Sequence, residues 1–111
     1  MNDLTTEPHG NLLLIRLSGE VDLSWSGRVR DAIIEALERQ SVGVDLSAVS
    51  YIDSSGIAAL VEGLQTARDG ERRFVLVATS PAVLAVLELA RLDRVFTLVP
   101  DLAGLAAPEA G

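Results

Sequence analysis

The sequence predicts an α/β domain with one mixed sheet, in the order β-β-α-β-α-β-α-β. Short runs rich in Val, Leu and Ile recur along the 111 residues, and most are followed by apolar residues at helical spacing. Strands alternating with helices imply parallel pairing through right-handed crossovers. The turn composition of Pro8-His9-Gly10-Asn11 makes the first two strands a hairpin, and therefore the sheet mixed. The length suits a single domain over residues 1–111 with a core of its own.

Asp3–Glu7 is read as a short edge strand and Leu12–Leu17 as its antiparallel neighbour, broken at Gly19. Val21–Gly27 is read as a connector. A helix is expected over Ser26–Arg39, because Val29, Ala32, Ile33, Ala36 and Leu37 fall on one face. Glu35 and Arg39 stand four apart on its other face, in the favourable order for an ion pair. Val42–Leu46 is the central buried strand, with a polar break at Ser47. The next helix opens at Asp53-Ser54-Ser55-Gly56, carries Ile57, Leu60, Val61 and Leu64 on one face, and runs to Asp69, with Gly70 as its stop. Gly63 inside it costs about 1 kcal/mol relative to alanine, so a close neighbour is expected there. Phe74–Ala78 is a further strand. Ser80 as N-cap and Pro81 at the first position start the third helix, with Val83, Leu84, Leu87 and Ala90 as inward candidates. Val95–Val99 is the last strand. A short final helix over Asp101–Ala107 and a frayed end from 108 complete the chain.

Composition narrows the function classes. There is no cysteine and one histidine, His9, in a predicted turn, which excludes disulfides, thiolate chemistry and a His/Cys metal site. No cofactor is expected, since no phosphate-binding Gly-x-x-x-x-Gly-Lys loop occurs. No Gly-x-Ser-x-Gly elbow is present either, so an enzyme built on Ser54 is not expected. The net charge is −7 and all nine cations are arginine, which disfavours direct binding of nucleic acid or anionic membranes and suits a partner with a basic patch. No apolar run reaches membrane-spanning length, and Met1-Asn2-Asp3 lacks the start of a signal peptide, so a soluble, cytoplasmic chain is expected.

The segment Val44-Asp45-Leu46-Ser47-Ala48-Val49-Ser50-Tyr51-Ile52-Asp53-Ser54-Ser55-Gly56-Ile57 resembles the signature of the STAS domain, specifically that of bacterial anti-sigma-factor antagonists. Gly19-Glu20-Val21-Asp22, Ala78-Thr79-Ser80-Pro81-Ala82-Val83 and Leu92-Asp93-Arg94-Val95-Phe96 are similar to further segments of that family, in the same order. The resemblance implies a switch. Ser54 matches the phosphoacceptor, and the unphosphorylated form would bind an anti-sigma factor, often a serine kinase, and free its sigma factor. Phosphorylation would block that binding and a phosphatase would restore it. The implied partner face comprises Glu20, Asp22, Asp53, Ser54, Ser55, Gly56 and Ile57.

Each of these residues also has a structural reading. Ser54 is alternatively a helix N-cap; Asp53 either orients its hydroxyl or caps the helix; Ser55 is a cap or a backbone-bonded serine. Asp22 and Glu20 either meet a partner's arginine or solvate a loop. Trp25, unexpected in the family at this connector, is a core anchor or an exposed interface anchor. The same fold also serves as an accessory subunit of membrane transporters, docking on an ATPase of a lipid-transport system, for example. Small-ligand or nucleotide binding by the same surface is a third class.

Overall fold

The computed structural model describes residues 2–103. Five strands lie side by side in chain order, β1 (Asp3–His9), β2 (Leu12–Val21), β3 (Ser41–Ile52), β4 (Phe74–Val77) and β5 (Thr97–Val99). β1 runs antiparallel to β2, with His9 opposite Leu12 across the turn at Gly10; every other neighbour is parallel. The crossovers are α1 (Leu23–Leu37), α2 (Ser54–Asp69) and α3 (Pro81–Leu89). Each parallel connection steps one strand in the same direction. Right-handedness then puts all three helices on one face of the sheet.

The main core lies between that face and the helices. Ile15, Leu17, Val42, Val44, Leu46, Phe74 and Leu76 meet Val29 and Ile33 of α1, Ile57, Leu60 and Leu64 of α2, and Val83 and Leu87 of α3. On the opposite face Leu12, Leu14, Val75 and Val77 form a smaller cluster with Ala78, Val99 and Leu102. The alternation along β2 and β4 feeds both clusters, as a period of two requires.

The predicted order of elements holds, and β3 is the middle strand. The close approach expected at Gly63 is present: a Cβ there would lie 2.8 Å from Ile33 Cγ2 and 2.9 Å from Phe74 Cζ. Ser80 and Pro81 cap and start α3 as expected. Val83 and Leu87 are buried, Leu84 is half-buried and Ala90 is exposed.

Several boundaries differ. β2 is not broken at Gly19 but continues to Val21; Gly19 takes φ +92° beside a shift in register with β3, so the glycine bends the strand without ending it. β3 does not stop at Leu46. It extends to Ile52, held by the extended β2, while the Asp45 carboxylate accepts the Ser47 N–H (2.9 Å) at the other register shift. α1 starts at Leu23 because Asp22 caps it, so most of the expected connector is helix. It ends at Leu37, which leaves Arg39 outside it. The ion pair expected with Glu35 is not among those found in the described residues. Arg30 of α1 instead pairs with Glu62 of α2, and Arg72 donates to the Leu37 and Glu38 carbonyls at the end of α1 (3.2 Å each). β4 ends at Val77, with Ala78 in the left-handed region (φ +50°), and β5 is shorter than expected. Trp25 is half-buried and packs against the main core. The final helix expected over 101–107 falls largely outside the described residues, as does the tail from 108.

Candidate functional site

β2 and β3 end together. Val21 stands opposite Ile52, and the Asp53 N–H donates to the Val21 carbonyl (3.2 Å). Each strand then turns into a helix through the same local sequence pattern, Asp-x-Ser: Asp22-Leu23-Ser24 and Asp53-Ser54-Ser55. The two aspartates have nearly the same backbone, φ −111°, ψ −175° at Asp22 and φ −106°, ψ −173° at Asp53. Asp22 Oδ1 accepts from the Ser24 N–H (3.0 Å) and Ser24 Oγ (2.6 Å). Asp53 Oδ1 accepts from the Ser55 N–H (2.9 Å), the Gly56 N–H (3.1 Å) and Ser55 Oγ (2.6 Å). These bonds satisfy donors that a helix start leaves without intrahelical partners.

The Asp53 carboxyl is held below the ordinary aspartate value. The Ser55 hydroxyl is the largest cause, followed by the N–H groups of Gly56, Ser55 and Leu23, against partial desolvation. Leu23 belongs to α1, so the start of the neighbouring helix contributes to the field at this carboxylate.

The cap of α2 is therefore Asp53, not Ser54. Ser54 occupies the first helical position and is exposed. The Ser55 hydroxyl is taken up by Asp53, so Ser55 is a side chain tied to the cap and not the cap itself. Gly56 is buried because α2 sits directly on the strand ends: a Cβ there would lie 2.6 Å from Ile52 Cγ1 and 2.8 Å from the Val21 carbonyl oxygen. Ile57 is a core residue. These two expected contact residues lie beneath the surface and set the position of the turn above them.

Glu20 is exposed, pairs with Tyr51, and donates its N–H to Asn2 Oδ1 (2.8 Å). Glu20, Asp22, Asp53 and Ser54 thus share one edge of the sheet. The third strand-to-helix junction does not join them. β4 ends opposite Asp45, well short of Ile52, and the Ser80 hydroxyl is buried, donating to the Val49 carbonyl (2.7 Å) while it accepts the Val83 N–H (3.3 Å). His9 lies at the other end of β2, roughly 30 Å from Val21 at about 3.3 Å per residue. Ser54 therefore has no imidazole beside it to act as a base.

Two neighbours were not singled out from the sequence. Leu23 is 79% exposed and Tyr51 50% exposed. Leu23 lies off the apolar face of α1 that begins at Val29, which was the available signal once α1 is known to start there.

The arrangement offers an exposed hydroxyl beside carboxylates at the ends of β2 and β3. The family model for the STAS domain matches residues 3–105, and the chain belongs to that family. It is 25% identical over 95 residues to the anti-sigma F factor antagonist of Paenibacillus polymyxa, covering 83% of this chain and 81% of that protein. The crystal structure of an anti-sigma factor antagonist from Mycobacterium paratuberculosis superposes with a TM-score of 0.83 at 26% identity, over 94% of this chain and 90% of that one. The phosphorylated form of the Bacillus cell fate determinant SpoIIAA superposes with a TM-score of 0.72 at 20% identity, over 93% and 96% of the two chains, a likeness of fold.

Proposed function

We propose that this chain is an anti-sigma-factor antagonist switched by phosphorylation at Ser54. The unphosphorylated chain binds an anti-sigma factor, often itself a serine kinase, and releases the sigma factor; the phosphorylated chain does not bind, and a phosphatase restores it. The chain acts as a regulatory binding module rather than an enzyme, in the cytoplasm where sigma factors work. The observation that carries this reading is the division of labour at the start of α2: Asp53 does the capping and Ser54 keeps an exposed hydroxyl. A phosphate there adds roughly −1.5 to −2 charges. The helix N-terminus tolerates that charge, but it arrives beside Asp53, Asp22 and Glu20. The surface becomes more negative without the core being disturbed. The related antagonists support the same reading.

The test is calorimetric titration of wild type, Ser54→Ala and Ser54-phosphorylated chain against the purified anti-sigma factors of the source organism. Wild type and Ser54→Ala should bind one of them. The phosphorylated form should bind far more weakly, since lost complementarity in a desolvated charged contact costs roughly 2–5 kcal/mol. Equal binding by the phosphorylated form would reject the switch.

A further inference from the structure

Leu23 is an exposed leucine that core packing does not explain. In α1 it holds the position that Ser54 holds in α2, the first after an aspartate cap, and it is 79% exposed. The two caps follow adjacent strand ends, Val21 opposite Ile52, and the Asp53 N–H donates to the Val21 carbonyl (3.2 Å). Leu23 and Ser54 therefore stand side by side. Tyr51, 50% exposed, lies at the same end of the sheet opposite Glu20; Val21 and Ile52 beside them turn into the helix-side core, so Glu20 and Tyr51 flank that end from the helix-free face. Segments 18–26 and 49–57 carry Glu20, Asp22 and Asp53 and contain no arginine or lysine. Exposed apolar side chains set among charges of one sign are the pattern of a docking surface with an apolar centre and a polar rim.

We propose that Leu23 and Tyr51 are the apolar anchors of a docking surface around Ser54, and that its occupant is a protein with an apolar cleft rimmed by arginine or lysine. The rim answers Glu20, Asp22 and Asp53; the cleft takes Leu23 and Tyr51. This rests on the antagonist reading and adds how the phosphate acts. A dianion on Ser54 must lose water against the cleft that receives Leu23, which disfavours the complex more than a rim charge would. Leu89 supplies an internal comparison: it is 87% exposed, but on the last turn of α3, away from the strand ends that carry Ser54.

The probe is the purified anti-sigma factor of the source organism that the wild-type chain binds, titrated calorimetrically. Leu23→Ala and Tyr51→Ala should each weaken binding by about tenfold or more, the range of interface anchors. Leu89→Ala should bind as wild type, and all three variants should melt as wild type does. Wild-type affinity in the Leu23 and Tyr51 variants, with phosphorylated chain still failing to bind, would overturn the anchors and leave the switch standing. An equal loss in the Leu89 variant would also overturn them. A dimer in sedimentation that Leu23→Ala dissolves would assign the surface to a second copy instead. If no anti-sigma factor of the organism binds wild type, the anchors and the antagonist reading fall together.

Discussion

Gly56→Ala should destabilise the domain, whereas Gly27→Ala should stabilise it. Both glycines lie within helices, where alanine is favoured by about 1 kcal/mol. The surroundings decide the sign. A Cβ on Gly27 meets nothing within 4 Å, so the helical preference acts alone and the gain is about 0.5–1 kcal/mol. A Cβ on Gly56 meets Ile52 Cγ1 at 2.6 Å, the Val21 carbonyl oxygen at 2.8 Å and Val21 Cγ1 at 2.9 Å. Carbon atoms pack best at about 3.5–4.0 Å, so roughly 1 Å of movement is needed. The side chains can turn, but the Val21 carbonyl is backbone and already accepts the Asp53 N–H. The first turn of α2 must therefore lift off the strand ends. Overpacking of this kind typically costs about 1–3 kcal/mol, at the upper end here, which leaves a net loss of about 1–2 kcal/mol. For a domain of this size that lowers Tm by about 4–8 °C. Scanning calorimetry together with urea denaturation followed by circular dichroism reads both variants. The lifted turn carries Ser54 with it, so Gly56→Ala should also lose partner binding. If the two variants shift Tm in the same direction by similar amounts, the close seating of α2 on Val21 and Ile52 is wrong.

Ser54→Asp should leave Tm almost unchanged, because Asp53 supplies the cap and exposed substitutions usually shift stability by about 0.5 kcal/mol or less; partner binding, measured by calorimetry, should fall. Ser80→Ala removes a buried hydroxyl that both donates to the Val49 carbonyl and accepts the Val83 N–H, and should cost about 1–3 kcal/mol in urea denaturation. The Asp53 carboxyl is depressed in the folded state, so its contribution to stability is present above the unfolded value of about 3.9 and is lost as pH falls through the lower folded value. Denaturation between pH 2 and pH 6 should show wild type losing more stability on acidification than Asp53→Asn, and parallel curves would reject the assignment of Asp53 as the charged cap.

The candidate site was legible in part because its chemistry is local. Asp53 before Ser54-Ser55-Gly56 and an apolar helical face reads as a cap at a helix start, and Ser80-Pro81 reads the same way, without knowledge of any neighbour. Which oxygen does the capping was not legible. Asp, Ser54 and Ser55 all suit the position, and the extended backbone at residue 53 decides in favour of the carboxylate. Gly63 announced a close neighbour by its cost in a helix, but Ile33 and Phe74 could be named only from the packing.

The order of strands and helices, the hairpin at the start and the serine at the head of α2 follow from the sequence alone, because periodicity, turn residues and caps act over a few positions. The reach of β2 and β3 beyond Gly19 and Ser47 does not. Ser47 and Gly19 look like breaks in isolation. They remain in strands because each extended segment supplies the other's hydrogen-bond partners, including the Ser50 hydroxyl that donates to the Gly19 carbonyl (3.3 Å). That pairing spans some thirty residues of chain, and no local pattern records it. The same extension brings Asp22 and Leu23 level with Asp53 and Ser54. The meeting of two capped helix starts at adjacent strand ends, and the placing of exposed Leu23 near Ser54, are therefore properties of the tertiary structure.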